Sequence, residues 1–281
     1  MKVHNVKGRL ALVTGGSSGI GYAIAEALAK QGFNLLLVAR NKNKLQTAAT
    51  ELAKQYKVNT HIASIDVTNV EAVNQLASLV RNIAPCADLV VNSAGIVSGG
   101  FLIDTPLEEW DRLYQFNVRG LVSVLQNLLP DMEKQFQLDG QERHIVNIAS
   151  AAAYLCPNGM AAYSSTKAGV ISLSEVLAHE LSSQKIGVTV VCPEFVKTPI
   201  GEKVQLFGRF DTPRAHKVIK KMFEKSTITP EQLAVKTLKA IEKNKTLIAA
   251  GKQATFAYHF KRLMPDRFFN LIESKFAFIK N

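Results

Sequence analysis

The sequence predicts a single α/β domain, a doubly wound parallel sheet of about seven strands, followed by a helical extension at the C-terminus. Three observations predict it. Short runs made almost wholly of Val, Ile and Leu alternate with longer segments of helical period, the pattern of parallel strands covered on both faces. A glycine-rich turn follows the first run directly and leads into a helical segment. The chain has 281 residues, 47% hydrophobic and 20% charged, which excludes disorder and suffices for one large core.

The elements follow in order. Strands are expected at 10–14, 34–39, 60–66, 89–92, 144–150, 187–192 and 246–250; the first, second, fourth and fifth are nearly continuous apolar runs. Helical period marks 22–30, 44–55, 70–83, 107–132 and 162–182. Right-handed crossovers leave few topologies for such a series. There is no internal repeat and no low-complexity linker, so residues 1–252 are expected to form one domain, with 253–281 as its extension. Cys86, Cys156 and Cys192 are too scattered for a disulfide framework and lack zinc-ligand spacing. They read as reduced thiols of a cytoplasmic protein, and no metal is expected. No apolar stretch has signal-peptide or membrane-span length.

After the first strand comes Thr14-Gly15-Gly16-Ser17-Ser18-Gly19-Ile20-Gly21. Glycines let the backbone turn tightly and approach a pyrophosphate, while the following helix N-terminus supplies free N–H groups and partial positive charge. An ordinary strand-to-helix turn is the alternative, and its place between strand and amphipathic helix favours a dinucleotide site. The second strand ends Ala39-Arg40. An acid there would bond the ribose hydroxyls of NAD, whereas an arginine accommodates the 2′-phosphate of NADP. Arg40 therefore favours NADP(H) over NAD(H), with Ser17 able to reach the same phosphate; a plain surface cation is the other reading of Arg40.

These residues, with three further segments in order, resemble the short-chain dehydrogenase/reductase family, of Rossmann-type fold. The turn is similar to its TGxxxGxG fingerprint. Asn92-Ser93-Ala94-Gly95 resembles its NNAG motif, with Ser93 replacing the second Asn. Asn117 falls where the family carries a helix-borne catalytic Asn, and Ser150, Tyr163 and Lys167 match its Ser and YxxxK pattern. The resemblance covers roughly residues 8–200. It implies that Gly15, Ser17, Ser18, Gly19, Ile20, Gly21, Asn92, Ala94 and Gly95 hold the cofactor. Asp66 would accept from the adenine amino group beside the Val67 backbone, although Asp66-Val67-Thr68 equally suits a helix cap. Pro193, Val196 and Thr198 would hold the nicotinamide end, together with Tyr163 and Lys167.

Tyr163 and Lys167 stand four apart on one helix face. A phenol with a pKa of about 10 carries protons poorly at neutral pH, and a nearby ammonium is expected to lower that value. By resemblance, Tyr163 is the general acid for carbonyl reduction and the base for alcohol oxidation, Ser150 stabilises charge on the substrate oxygen, Lys167 tunes Tyr163, and Asn117 orders a water relay. The implied activity interconverts a ketone and a secondary alcohol on a lipophilic substrate, 3-oxoacyl thioesters included. A catalytically silent NADP(H)-binding scaffold or redox sensor is the rival, though its signature, a missing Tyr or Lys, is absent. A homodimer or homotetramer is implied, and nucleic-acid binding is not expected.

One departure stands out. The family usually has Pro-Gly after the sixth strand, and this chain has Pro193-Glu194. Glu194 is expected to point to solvent or to meet a polar part of the substrate. Tyr154, Leu155 and Met160 are candidates for an apolar pocket or for loop packing. Residues 199–228 resemble the family's variable lid, where Leu206, Phe207 and Phe210 suggest a lipophilic substrate and Arg209 and Arg214 an acidic group.

The charge is uneven. Of the net +11, residues 200–281 carry +10, and they hold 9 of the 14 phenylalanines. Phe256, Phe260 and Leu263 form a stripe before Pro265, and Phe268, Ile272, Phe276 and Ile279 form another, with Arg267, Lys275 and Lys280 outside it. Such helices dock on the core or a second subunit, or lie on an anionic membrane surface.

Overall fold

The computed structural model describes residues 1–4, 6–198, 200–201 and 204–276, excluding the side chains of 273–276. The strands are β1 (Leu10–Thr14), β2 (Asn34–Ala39), β3 (Thr60–Ser64), β4 (Leu89–Asn92), β5 (Ser98–Gly100), β6 (Arg143–Ile148), β7 (Ile186–Pro193), β8 (Gln205–Phe207) and β9 (Leu247–Ala250). The helices are α1 (Gly19–Lys30), α2 (Lys42–Tyr56), α3 (Val70–Val73), α4 (Leu76–Arg81), α5 (Leu107–Tyr114), α6 (Gly120–Asp139), α7 (Ala152–Leu155), α8 (Ala161–Glu180), α9 (Pro213–Glu224), α10 (Pro230–Glu242), α11 (Lys252–Leu263) and α12 (Pro265–Phe276).

Seven strands form one parallel sheet in the order β3-β2-β1-β4-β6-β7-β9. Side chains alternate across it. Leu10 and Leu12 of β1 enter one apolar cluster, Ala11 and Val13 the other, so both faces are buried under helices. Each fully buried leucine contributes about 1.5–3 kcal/mol relative to exposure. Chain direction across the sheet reverses between β1 and β4, and the loops beyond their carboxyl ends define a crevice there. Thr14 ties the two ends together: its hydroxyl accepts from Ser93 N at 3.1 Å and Ala94 N at 3.2 Å.

Several elements differ from the sequence expectation, and α9 and α10 fall outside the helices it marked. The helix expected at 70–83 is two short helices, the first capped by Asn69, whose side chain accepts from Ala72 N at 3.0 Å. The helix expected at 107–132 is interrupted by a π-helical turn, Gln115–Arg119, and then runs on to Asp139. A second sheet, the parallel pair β5–β8, lies outside the main one. Each of its strands has only three residues, too short for a periodic signal.

The extension packs on the core through Ala254 and Ala257 of α11 and Phe268 of α12. This corrects the first stripe in part: Phe260 packs against the core, whereas Phe256 is 55% exposed and Leu263 80% exposed, because the small alanines let α11 approach closely. Phe268 and Ile272 of the second stripe do face the core. Ile279 and Lys280, and the side chains of Lys275 and Phe276, lie outside the described residues. Among the described residues, no helix is long and apolar enough to cross a membrane.

Candidate active site

A cleft of about 1740 Å³ opens at the carboxyl edge of the sheet. Its inner wall is the glycine turn. A Cβ at Gly21 would overlap the Gly15 carbonyl, and one at Gly15, where φ is +67°, would stand 3.0 Å from Ala94 N. The turn closes only with glycine at these positions. At the N-terminus of α1, Ser18 makes no side-chain cap and the first turn holds no acid. That leaves N–H donors and the positive helix end facing the cleft, which fits a phosphate group.

Gly15, Ser17, Ser18, Gly19, Ile20 and Gly21 all line the cleft, as do Arg40, Val67, Ala94 and Gly95 on one side and Pro193, Val196 and Thr198 on the other. Arg40 is exposed, its Nη1 3.7 Å from Asp66 Oδ2 and its guanidinium 5.2 Å from the Phe116 ring centre. Two expected cofactor residues stand apart. Asn92 is buried in the sheet and donates to Asn147 Oδ1 at 3.0 Å, within a chain that continues to Ser174. Asp66 Oδ1 accepts from Thr68 N at 3.0 Å and Thr68 Oγ1 at 2.8 Å, an Asx turn. The helix-cap reading of Asp66 is thereby corrected, since Asn69 is the cap.

Ser150, just past β6, and Tyr163 and Lys167, on α8, meet over the cleft. Lys167 is buried, donates to Ile148 O at 3.0 Å and stands 5.9 Å from the Tyr163 ring centre. Burial pushes the Tyr163 phenol up to about 12, with the Ser150 hydroxyl pulling the other way. Burial likewise pushes Lys167 down to about 8. The expected lowering of Tyr163 by Lys167 is not found in the protein alone, where desolvation dominates. Asn117, in the π-helical turn, is held through both sides of its amide. Oδ1 accepts from Ile96 N at 2.9 Å, and Nδ2 donates to Ile96 O at 3.0 Å and Thr166 Oγ1 at 3.1 Å.

The outer cleft is lined by Phe101, Phe210, Met222, Phe223, Phe256 and Phe268. Leu155 and Met160 line it too, whereas Tyr154 is buried and donates to Ala254 O at 3.1 Å. Arg214 lines the cleft, and Arg209 does so while its Nε lies 2.9 Å from Asp104 Oδ2. Leu206 and Phe207, expected here, lie outside the lining. Glu194 does not point to solvent. Its Oε2 accepts from Gln253 N at 3.0 Å and Ala254 N at 3.2 Å, capping α11 from a distant strand end. Phe210, expected in the lid, does line the cleft. Sequence reasoning missed Thr14 and Thr166 as site-builders, and only Thr14, inside the fingerprint, carried a local signal.

The family pattern described as short chain dehydrogenase matches residues 9–207. The chain belongs to the short-chain dehydrogenase/reductase family. It is an oxidoreductase of that family, and its fold is the family's Rossmann-like one. An uncharacterized oxidoreductase of Staphylococcus haemolyticus is 36% identical over 204 residues, 73% of this chain and 85% of that one. A short-chain dehydrogenase/reductase from Burkholderia phymatum, solved in complex with NAD, is 29% identical with a TM-score of 0.76, covering 86% of this chain and 88% of its own. L-sorbose reductase from Gluconobacter frateurii, solved with NADPH and L-sorbose, is 27% identical with a TM-score of 0.75, covering 89% and 98%.

Proposed function

We propose that the protein is an NADP(H)-dependent reductase of ketones, reversible as a secondary-alcohol dehydrogenase, acting on a lipophilic substrate. The observation that carries this reading is the convergence of Ser150, Tyr163 and Lys167 on the same cleft as the glycine turn. When bound, the nicotinamide supplies or accepts the hydride. The glycine turn and the α1 N-terminus would hold its pyrophosphate. Arg40, exposed and 3.7 Å from Asp66, would pair with the 2′-phosphate by a charge-assisted contact, and Ala39 stands where an acid would repel that phosphate.

The chain's own residues handle the proton. Ser150 donates to the substrate oxygen and holds it beside Tyr163. Tyr163, protonated at neutral pH, delivers its proton to that oxygen as hydride reaches the carbon. The Lys167 ammonium, fixed by the Ile148 carbonyl, offsets the phenolate left behind. Asn117 spends both amide N–H groups and one of its oxygen's two acceptor sites, which leaves Oδ1 one site for a relay water. The aromatic outer lining supports a lipophilic substrate, and a volume above the roughly 300–1,000 Å³ typical of one small-ligand pocket leaves room for cofactor and substrate together. The test uses NADPH deuterated at the transferable position with a medium-chain ketone. The product alcohol should carry deuterium on its carbinol carbon, and binding of NADPH without any labelled alcohol from a broad ketone panel would overturn the reading.

A further inference from the structure

Glu194 stands where the family usually has glycine, and in this chain it joins the catalytic half of the molecule to the extension. Its Oε2 takes the Gln253 and Ala254 N–H groups of α11, and Thr227 Oγ1 lies 3.4 Å from Oε1. Gly251, the residue before α11, has φ +124°, and a Cβ there would overlap the Glu194 carboxylate. The two residues therefore fit only as a pair. A carboxylate on a helix N-terminus is bound by charge-assisted hydrogen bonds and by the helix dipole.

Further ties run from the same helix to the segment after Ser150. Tyr154 Oη donates to Ala254 O at 3.1 Å, and Lys261 Nζ donates to Tyr154 O at 2.8 Å. Held this way, the hairpin presents Phe256, Ala257, Phe268, Leu271 and Ile272 to the cleft. We infer that Glu194 is a positioning residue for substrate choice: by capping α11 it sets the α11–α12 hairpin as the outer wall of the cleft, which selects a carbonyl carried on an extended apolar chain. This rests on the reductase reading and goes beyond it, since it assigns chain-length selection to one acid and one hairpin that take no part in the proton transfer.

The experiment compares kcat/KM for butan-2-one and decan-2-one with NADPH in the wild type, Glu194→Gly, Glu194→Gln and Gly251→Ala. The wild type should prefer the long ketone. Glu194→Gly should lower the long-to-short ratio about tenfold, the scale of a lost helix cap, mainly through KM of the long ketone. Gly251→Ala should do the same from the other side of the contact, and Glu194→Gln, which keeps an acceptor oxygen, should restore most of the ratio. An unchanged ratio in both Glu194→Gly and Gly251→Ala overturns the inference, as does an equal fall for both ketones. Should the wild type reduce neither ketone, the reductase reading fails separately. The inference is then decided by calorimetric binding of decan-2-one to the NADP⁺ complex: about tenfold weaker in Glu194→Gly supports it, and equal affinity overturns it.

Discussion

Lys167 holds its charge only up to about pH 8, against an ordinary 10.5, because burial disfavours the ammonium. At about 1.36 kcal/mol per pKa unit, the bias amounts to about 3 kcal/mol. If that ammonium offsets the Tyr163 phenolate, activity must follow its protonation. The charged fraction falls to roughly one-tenth at pH 9 and roughly one-hundredth at pH 10, whereas a lysine in water would still be mostly charged at pH 9. The assay is kcat/KM for NADPH at a saturating ketone concentration from pH 6 to 10, a quantity that reports the free protein. A plateau at neutral pH should give way to a tenfold fall per unit above about 8. Lys167→Arg, whose guanidinium stays charged to above about 12, should be slower overall but lack that limb. For folding the sign is that of a depressed cation. The cost of holding Lys167 charged is fully present below pH 8 and relieved between 8 and 10.5, where the unfolded chain binds more protons. A flat profile to pH 10, or a limb that survives in Lys167→Arg, would refute the reasoning.

Other outcomes follow from the same geometry. His144 is fully buried, with Nε2 2.8 Å from Thr189 Oγ1, whose hydroxyl donates to Lys245 O at 2.7 Å. Burial, aided by the N-terminal charge, pushes it from 6.5 to about 3, so the unfolded chain protonates first as pH falls. Stability should drop by about 1.36 kcal/mol per unit below pH 6.5, a loss of about 2–3 kcal/mol by pH 4.5. Urea denaturation of His144→Gln, which lacks this group, should show a slope shallower by that amount. Gly21→Ala should weaken NADPH binding at least about a hundredfold, because its methyl group displaces the Gly15 carbonyl on which the phosphate turn is built; fluorescence titration of NADPH reads this. Arg40→Ala should weaken NADPH about tenfold to a hundredfold and leave NADH nearly unchanged, the scale of one charged contact. Equal effects on the two cofactors would remove Arg40 from the 2′-phosphate.

The sequence made some parts of this site plain and hid others for physical reasons. The strands β1, β2 and β4 were visible because both their faces are buried, which confines polar residues to the strand ends. Gly15, Gly21, Ser150, Tyr163 and Lys167 were visible because backbone approach and proton transfer tolerate few residue types at fixed spacing. Glu194 was not. Its partners lie some sixty residues away, and its local sequence says only that a carboxylate replaces a glycine. Asn92 was misplaced because its motif marks a strand end, while its side chain turns inward to Asn147. The stripe of α11 misled because alanine, weak in any hydrophobicity pattern, forms the buried face, while the larger Phe256 and Leu263 remain outside.

The central claim is that Tyr163 gives the proton while the glycine turn holds the cofactor, so the most direct measurement separates the two. It reads NADPH binding by fluorescence and NADPH oxidation at about 340 nm on the best ketone, in the wild type and Tyr163→Phe. The account predicts that Tyr163→Phe binds NADPH as the wild type does and oxidises it at least about a hundredfold more slowly, the share a general acid contributes. Oxidation by Tyr163→Phe at a rate close to the wild type would contradict it.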